Sequence, residues 1–182
     1  KGGDPYVFGR GGEEVIALEK EKLKFEVIPG ITSPIAVLNY AGIPVTHRGI
    51  AQSFHIVTGM TGTNEKINWK ALAQEKGTLV FMMGLENIER IVANLIDNKK
   101  HVKTPAAVVM RGTSSKQRKV IGNLENIIQK VREANLKSPC IIVIGDVVNL
   151  NKELSWYEEK PLFGTNICIT RSREQSSELK SS

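Results

Sequence analysis

The chain has 182 residues, 41% hydrophobic and 24% charged, a balance that fits a folded globular protein and argues against a disordered chain. Its apolar runs, such as Cys140-Ile141-Ile142-Val143-Ile144, fall far short of the ~20 residues needed to cross a bilayer as a helix. The net charge of +6 comes from scattered Lys and Arg, densest at Lys116, Arg118 and Lys119; with 5% aromatic residues, the basic stripe and stacking rings of a nucleic-acid surface are missing.

In chain order, the opening Lys1-Gly2-Gly3-Asp4-Pro5 lacks the apolar core of a signal peptide. Residues 11–22 predict a helix with Val15 and Leu18 facing inward. Phe25-Glu26-Val27-Ile28 predicts a short strand that stops at Pro29-Gly30. Ser33 is then expected to cap a helix with Pro34 at its first position, and Gly42 to end it. One four-residue strand cannot form a sheet, so 1–46 is expected to be the remnant of an N-terminal α/β domain, with Ile43-Pro44-Val45-Thr46 as linker.

A second unit is expected over 47–158. Strands are predicted at 53–58, 78–83, 106–110, 119–122 and 140–144. Ile88, Ile91, Val92, Leu95 and Ile96 form one apolar helical stripe, Leu124, Ile127, Ile128 and Val131 another, and 67–75 a shorter helix anchored by Trp69 and Leu72. Alternating strands and helices define an α/β class, and the short loop 111–118 implies an antiparallel hairpin within a mixed sheet. Residues 159–182 read as a linker, a fresh strand at 166–170 and a polar tail. Cys140 and Cys168 sit in strand-like runs without metal-ligand spacing, which predicts buried reduced thiols in a cytoplasmic protein and no metal.

Two stretches could carry chemistry. Clustered glycines in 2–12 allow close backbone approach to a ligand, and Asp4 can accept hydrogen bonds, although an ordinary turn has the same composition. Neither a P-loop nor a dinucleotide fingerprint is present there. Thr32 and Ser33 stand at a helix N-terminus after a predicted strand, where an anion site and a simple N-cap are both consistent.

The run Gly2-Gly3-Asp4-Pro5-Tyr6-Val7-Phe8-Gly9-Arg10-Gly11-Gly12-Glu13-Glu14, then Val27-Ile28-Pro29-Gly30-Ile31-Thr32-Ser33, Gly42-Ile43-Pro44-Val45-Thr46-His47-Arg48, Val57-Thr58-Gly59, Met82-Met83-Gly84, Gly112-Thr113-Ser114, Gln117-Arg118 and Gly145-Asp146 resembles the tetrapyrrole methylase family, in its uroporphyrinogen-III C-methyltransferase branch. The resemblance covers about 1–156 in unbroken order. It implies two α/β domains with S-adenosylmethionine in the cleft between them, S-adenosylhomocysteine as product, and a tetrapyrrole substrate methylated on carbon, uroporphyrinogen III giving precorrin-2 for sirohaem or cobalamin. By position, the implied cofactor contacts are Gly2, Gly3, Asp4, Val7, Thr32, Ser33, Met83 and Gly112. Arg10, beside that motif, is the favoured partner for substrate carboxylates, ahead of His47, Arg48, Arg111 and Arg118.

The resemblance also implies a homodimer with neither nucleic-acid nor membrane partners. The family's proton-transfer groups belong to a segment before Lys1, so no catalytic residue is assigned and the chain by itself is expected to be inactive. The end, from Pro161-Leu162-Phe163-Gly164 through Ile169-Thr170-Arg171-Ser172-Arg173-Glu174, resembles the first strand of uroporphyrinogen-III synthase, which implies a fused parent. The alternatives are a methylase of a later corrin intermediate, disfavoured by Phe8-Gly9-Arg10-Gly11-Gly12, and a non-catalytic folded piece.

Overall fold

The computed structural model describes residues 2–60, 67–166, 168 and 170. At its centre is β5 (Cys140–Ile144), whose five residues are all buried. Four of the five are β-branched, the type that packs best on a pleated surface covered on both faces. Around it the order is β1 (Phe54–Thr58), β2 (Thr78–Met82), β5, β3 (Pro105–Met110) and β4 (Arg118–Asn123). β1 runs parallel to β2, while β5 is antiparallel to both β2 and β3. β3 and β4 form the antiparallel hairpin that the short loop implied, from Pro105 opposite Asn123 to Met110 opposite Arg118. All five strands fall within one residue of their predicted positions, and the sheet is mixed.

Strand alternation sends side chains to two faces. Leu79, Phe81, Val108, Ile142 and Ile144 point to a core completed by α3 (Trp69–Gln74), α4 (Ile88–Asp97) and α5 (Ile127–Glu133). The α4 stripe buries Ile88, Ile91, Val92 and Leu95, as its spacing required. Asn68 caps α3 by accepting the Ala71 amide at 3.0 Å, and Trp69 stacks on Phe81 with ring centroids 6.1 Å apart.

Val80, Ala107, Val109, Ile141 and Val143 face the other way, onto Val37 and Leu38 of α2 (Ser33–Tyr40), Ile43, and Val147 and Val148 of a 3-10 helix (Asp146–Leu150). That 3-10 helix leads into α6 (Asn151–Leu154). Ile43 is therefore core rather than linker, with no exposed surface. Gly42 ends α2 at φ +70, and the Ile43 amide returns to the Leu38 carbonyl at 2.9 Å, a glycine-dependent stop.

The first thirty residues differ from expectation. α1 (Gly11–Lys20) buries only Gly11; Val15 and Leu18 are half-buried. It ends where Lys22 takes φ +54 and the Leu23 amide returns to the Leu18 carbonyl. Phe25-Glu26-Val27-Ile28 forms no strand, because no neighbour among the described residues completes a ladder, and Phe25 and Ile28 stay exposed. Thr32, not Ser33, is the N-cap of α2: its carbonyl takes the first helical bonds from Ile35 and Ala36, so Ser33 is already helical and Pro34 follows it. Cys140 is buried, whereas Cys168 is exposed rather than buried as predicted. The predicted strand at 166–170 depends on Ile167 and Ile169, which lie outside the described residues, as does the tail 171–182.

Candidate functional site

The register places Met82 opposite Ile141 and Met110 opposite Cys140. The C-terminal ends of β2 and β3 and the start of β5 therefore meet at one edge of the sheet. Above that edge lies a cavity of about 730 Å³, within the 300–1,000 Å³ typical of small-molecule sites. Its floor is Met82, Val109 and Ile141, and one wall is Thr32, Ser33, Ala36 and Val37 at the start of α2. The loops after β2 and β3 add Met83 and Asn87 on one side and Arg111, Gly112 and Thr113 on the other. Gly2, Gly3, Val7 and Phe8 close over it from the first loop.

Seven of the eight positions singled out in the sequence thus line one cavity: Gly2, Gly3, Val7, Thr32, Ser33, Met83 and Gly112. Asp4 does not line it. Its carboxylate accepts the Tyr6 amide at 2.9 Å through Oδ1 and the Gly30 amide at 3.1 Å through Oδ2, tying the first loop to the segment before α2. These bonds, the Gly30 amide foremost and the Tyr6 amide next, hold the Asp4 carboxyl below its ordinary value of 3.8. A depressed folded value means that the tie is present above the unfolded pKa and is lost as pH falls through the folded one. The Gly30 amide shift should accordingly titrate with a midpoint below 3.8. Asp4→Asn should abolish that titration by NMR, and persistence of it would show that another group holds Gly30.

Close backbone approach explains the glycines. A Cβ on Gly30 would lie 2.2 Å from the Gly3 carbonyl oxygen, and one on Gly112 would lie 2.4 Å from Cγ1 of Val37. Gly59 has the same constraint against Gly84, 2.3 Å from its Cα, where the loops after β1 and β2 touch. Asn87 Nδ2 donates to the Gly59 carbonyl at 2.9 Å and locks that contact. Four non-glycine residues around the cavity take left-handed backbone: Phe8 (φ +53), Met83 (φ +52), Arg111 (φ +47) and Thr113 (φ +69). Such outliers persist where surrounding contacts over-determine the backbone, and they cluster at functional sites.

Of the candidate cations, only Arg111 lines the cavity. Arg10 does not; its guanidinium is forked onto Glu13 at 2.6 Å in the first turn of α1. Arg118 does not line it either and donates to the Ala134 carbonyl at 2.9 Å. Cys140 lines the cavity, but burial pushes its thiol up to about 11, so it is protonated and unreactive at neutral pH. Sequence reasoning missed Phe8, Asn87 and Thr113. The adjacent glycine motifs could have flagged Phe8 and Thr113, whereas nothing local marks Asn87.

Residues 1–128 match the family described as Tetrapyrrole (Corrin/Porphyrin) Methylases. The chain belongs to the tetrapyrrole methylase family. Over 181 residues it is 44% identical to the porphyrin biosynthesis protein HemD of Ruminiclostridium josui, covering 98% of this chain and 36% of that protein. It is 48% identical over 152 residues to the uroporphyrinogen-III C-methyltransferase of Methanocaldococcus jannaschii, covering 82% of this chain and 63% of the relative. The chain therefore spans about a third to two-thirds of the length of these curated relatives. Among solved structures it is similar to uroporphyrin-III C-methyl transferase from Thermus thermophilus complexed with S-adenyl homocysteine. That similarity has a TM-score of 0.71 and 35% identity, over 82% of this chain and 65% of that one. For a tetrapyrrole methylase, a cavity at the sheet edge walled by glycine loops is the feature that needs a chemical account.

Proposed function

We propose that this chain carries the cofactor-facing part of an enzyme that methylates uroporphyrinogen III on carbon, with S-adenosylmethionine as methyl donor and S-adenosylhomocysteine as product. The observation that carries the reading is the convergence of Gly2, Gly3, Val7, Thr32, Ser33, Met83 and Gly112 on one cavity. It is joined by the likeness to a relative whose structure is titled as an S-adenyl homocysteine complex.

The lining fits such a molecule. Gly3 and Gly112 bring backbone close, Thr32 and Ser33 offer hydroxyls, and Val7, Met83 and Ile141 give apolar surface for a purine and a thioether. Bound there, the cofactor supplies a methyl group on a sulfonium. This chain's residues then orient it and exclude water, since alignment within about 3–3.5 Å sets the rate of such a transfer. Arg111, at the cavity rim, is the cation we assign to a substrate carboxylate. Asp4 acts through the loop it ties rather than on the ligand.

The wider organisation is part of the same proposal. Residues 1–46 belong to an N-terminal methylase domain, although α2 packs in the sheet core; 47–158 form the C-terminal domain; and 159–182 open a uroporphyrinogen-III synthase. The match over 98% of this chain within a relative about three times longer takes in nearly all of 159–182, which supports a fused arrangement. The full enzyme works as a cytoplasmic homodimer. Among the described residues no helix is long and apolar enough to cross a membrane, and no group of acidic, His or Cys side chains could hold a metal.

The test is anaerobic incubation of the full-length protein with uroporphyrinogen III and methyl-labelled S-adenosylmethionine. Label should appear in the tetrapyrrole fraction, and its absence there overturns the proposal.

A further inference from the structure

The loop 111–113 is the most strained wall of the cavity, with left-handed residues on both sides of Gly112. What holds it lies behind the cavity. Gln117 is 3% exposed, and its Oε1 accepts the Thr113 amide at 2.8 Å. Its Nε2 donates to the Tyr40 carbonyl at the end of α2 (3.2 Å) and to Glu158 Oε1 (2.8 Å). The amide orientation is fully determined. Turned over, it would set Nε2 against the Thr113 N–H and Oε1 against two acceptors.

Glu158 is fixed in turn by Lys119, whose Nζ lies 3.0 Å from Oε2 and also donates to Ser155 Oγ at 3.0 Å. The Thr113 carbonyl accepts from the Tyr157 hydroxyl at 3.4 Å. Both backbone polar groups of Thr113 are therefore held from outside its own turn, one by Gln117 and the other by Tyr157 beyond α6.

We infer that Gln117 is a positioning residue for the cofactor cavity, setting the conformation of 111–113 through the Thr113 amide, with the 155–158 segment as its anchor. The inference rests on the proposed cofactor site. Gln117 touches no lining space itself, so its effect on the ligand is transmitted entirely by the loop. Left-handed backbone at Thr113, which a β-branched residue does not prefer, is supported by the Gln117 and Tyr157 contacts, while Arg111 is held beside it by its amide bond to the Pro139 carbonyl at 3.0 Å.

The experiment compares unmodified full-length protein with Gln117→Met, which keeps a long buried side chain but removes all three hydrogen bonds, and with Tyr157→Phe, which removes only the contact to the Thr113 carbonyl. S-adenosylhomocysteine affinity is measured by calorimetry, and amide exchange by mass spectrometry over 111–118 and over β5. Gln117→Met should weaken binding about tenfold, the factor matching one lost buried hydrogen bond. It should also speed exchange in 111–118 while β5 stays protected, and Tyr157→Phe should shift both readouts the same way by less.

Unchanged affinity in both variants overturns the inference. So does loss of β5 protection in Gln117→Met together with an unaffected Tyr157→Phe, which would make Gln117 a fold residue only. Unmodified protein that binds no S-adenosylhomocysteine overturns the cofactor reading and this inference with it, whereas unmodified binding with unaffected variants overturns the inference alone.

Discussion

Replacing Gly30 with alanine should lower kcat/KM for the proposed methyl transfer about a hundredfold, the penalty for misplacing a site wall by about 1 Å, while leaving the melting temperature nearly unchanged. A Cβ at Gly30 would lie 2.2 Å from the Gly3 carbonyl oxygen and 2.6 Å from the carbonyl carbon, backbone against backbone. No rotamer can relieve that contact, so the two segments must separate. One carries Gly2 and Gly3 and the other Thr32 and Ser33, all four on the cavity wall. Separation also breaks the Gly30 amide bond to Asp4. Neither core cluster contains any of these residues, which is why stability should be spared. Gly12→Ala is the control: nothing lies within 4 Å of its Cβ position, and alanine suits a helix better. Steady-state kinetics beside a thermal melt decide the matter, and an unaltered kcat/KM for Gly30→Ala would show that the loops tolerate the separation.

Phe81→Ala should destabilise the protein by about 3–5 kcal/mol, a large part of the 5–15 kcal/mol typical of a domain. Phe81 is fully buried, pairs with Val57 on β1 and Ile142 on β5, and stacks under Trp69. Removing the ring leaves a void between the sheet and α3 that the rigid strands cannot close. Loss of the Trp69 contact then loosens the helix that covers this end of β2. In urea the midpoint should fall without a change in slope, because the same surface is exposed on unfolding. A loss below about 1 kcal/mol, the scale of a tolerated volume-conserving swap, would mean that Trp69 collapses into the space.

Helix α4, the β3–β4 hairpin and central strand β5 were legible because their signals are local. Apolar residues at helical spacing must share a face, a short loop must join antiparallel strands, and an uninterrupted β-branched run must be covered on both sides. The glycine-rich opening and Gly112 were legible for a related reason, since close approach of backbone leaves its mark on residue type. The family likeness then supplied an expectation that spacing could not, a shared ligand, and the fold brings these distant glycines with Thr32, Ser33 and Met83 to one cavity.

Other features depend on partners far away in sequence. Phe25-Glu26-Val27-Ile28 has the composition of a strand, but a strand exists only with a neighbour to bond, and none pairs with it among the described residues. Ile43 looked like a linker and is core, because α2 lies across β2 and β5 and carries the chain inward. Arg10 stood beside the motif, yet Glu13, one helical turn away, holds its guanidinium, while Arg111 reaches the cavity from the end of β3.

The sequence by itself determined the five strands of the sheet, the main helices, the family and seven residues of the cavity wall, since each is written in residue type at short range. Only the tertiary structure decided that Asp4 ties Gly30 instead of lining the cavity, and that Gln117 grips Thr113 from behind. A hydrogen bond between residues 26 apart, or a polar chain from 113 through 117 to 158, leaves no periodic trace in composition. It comes into being when the fold brings distant segments together, and its geometry belongs to the fold rather than to any one segment.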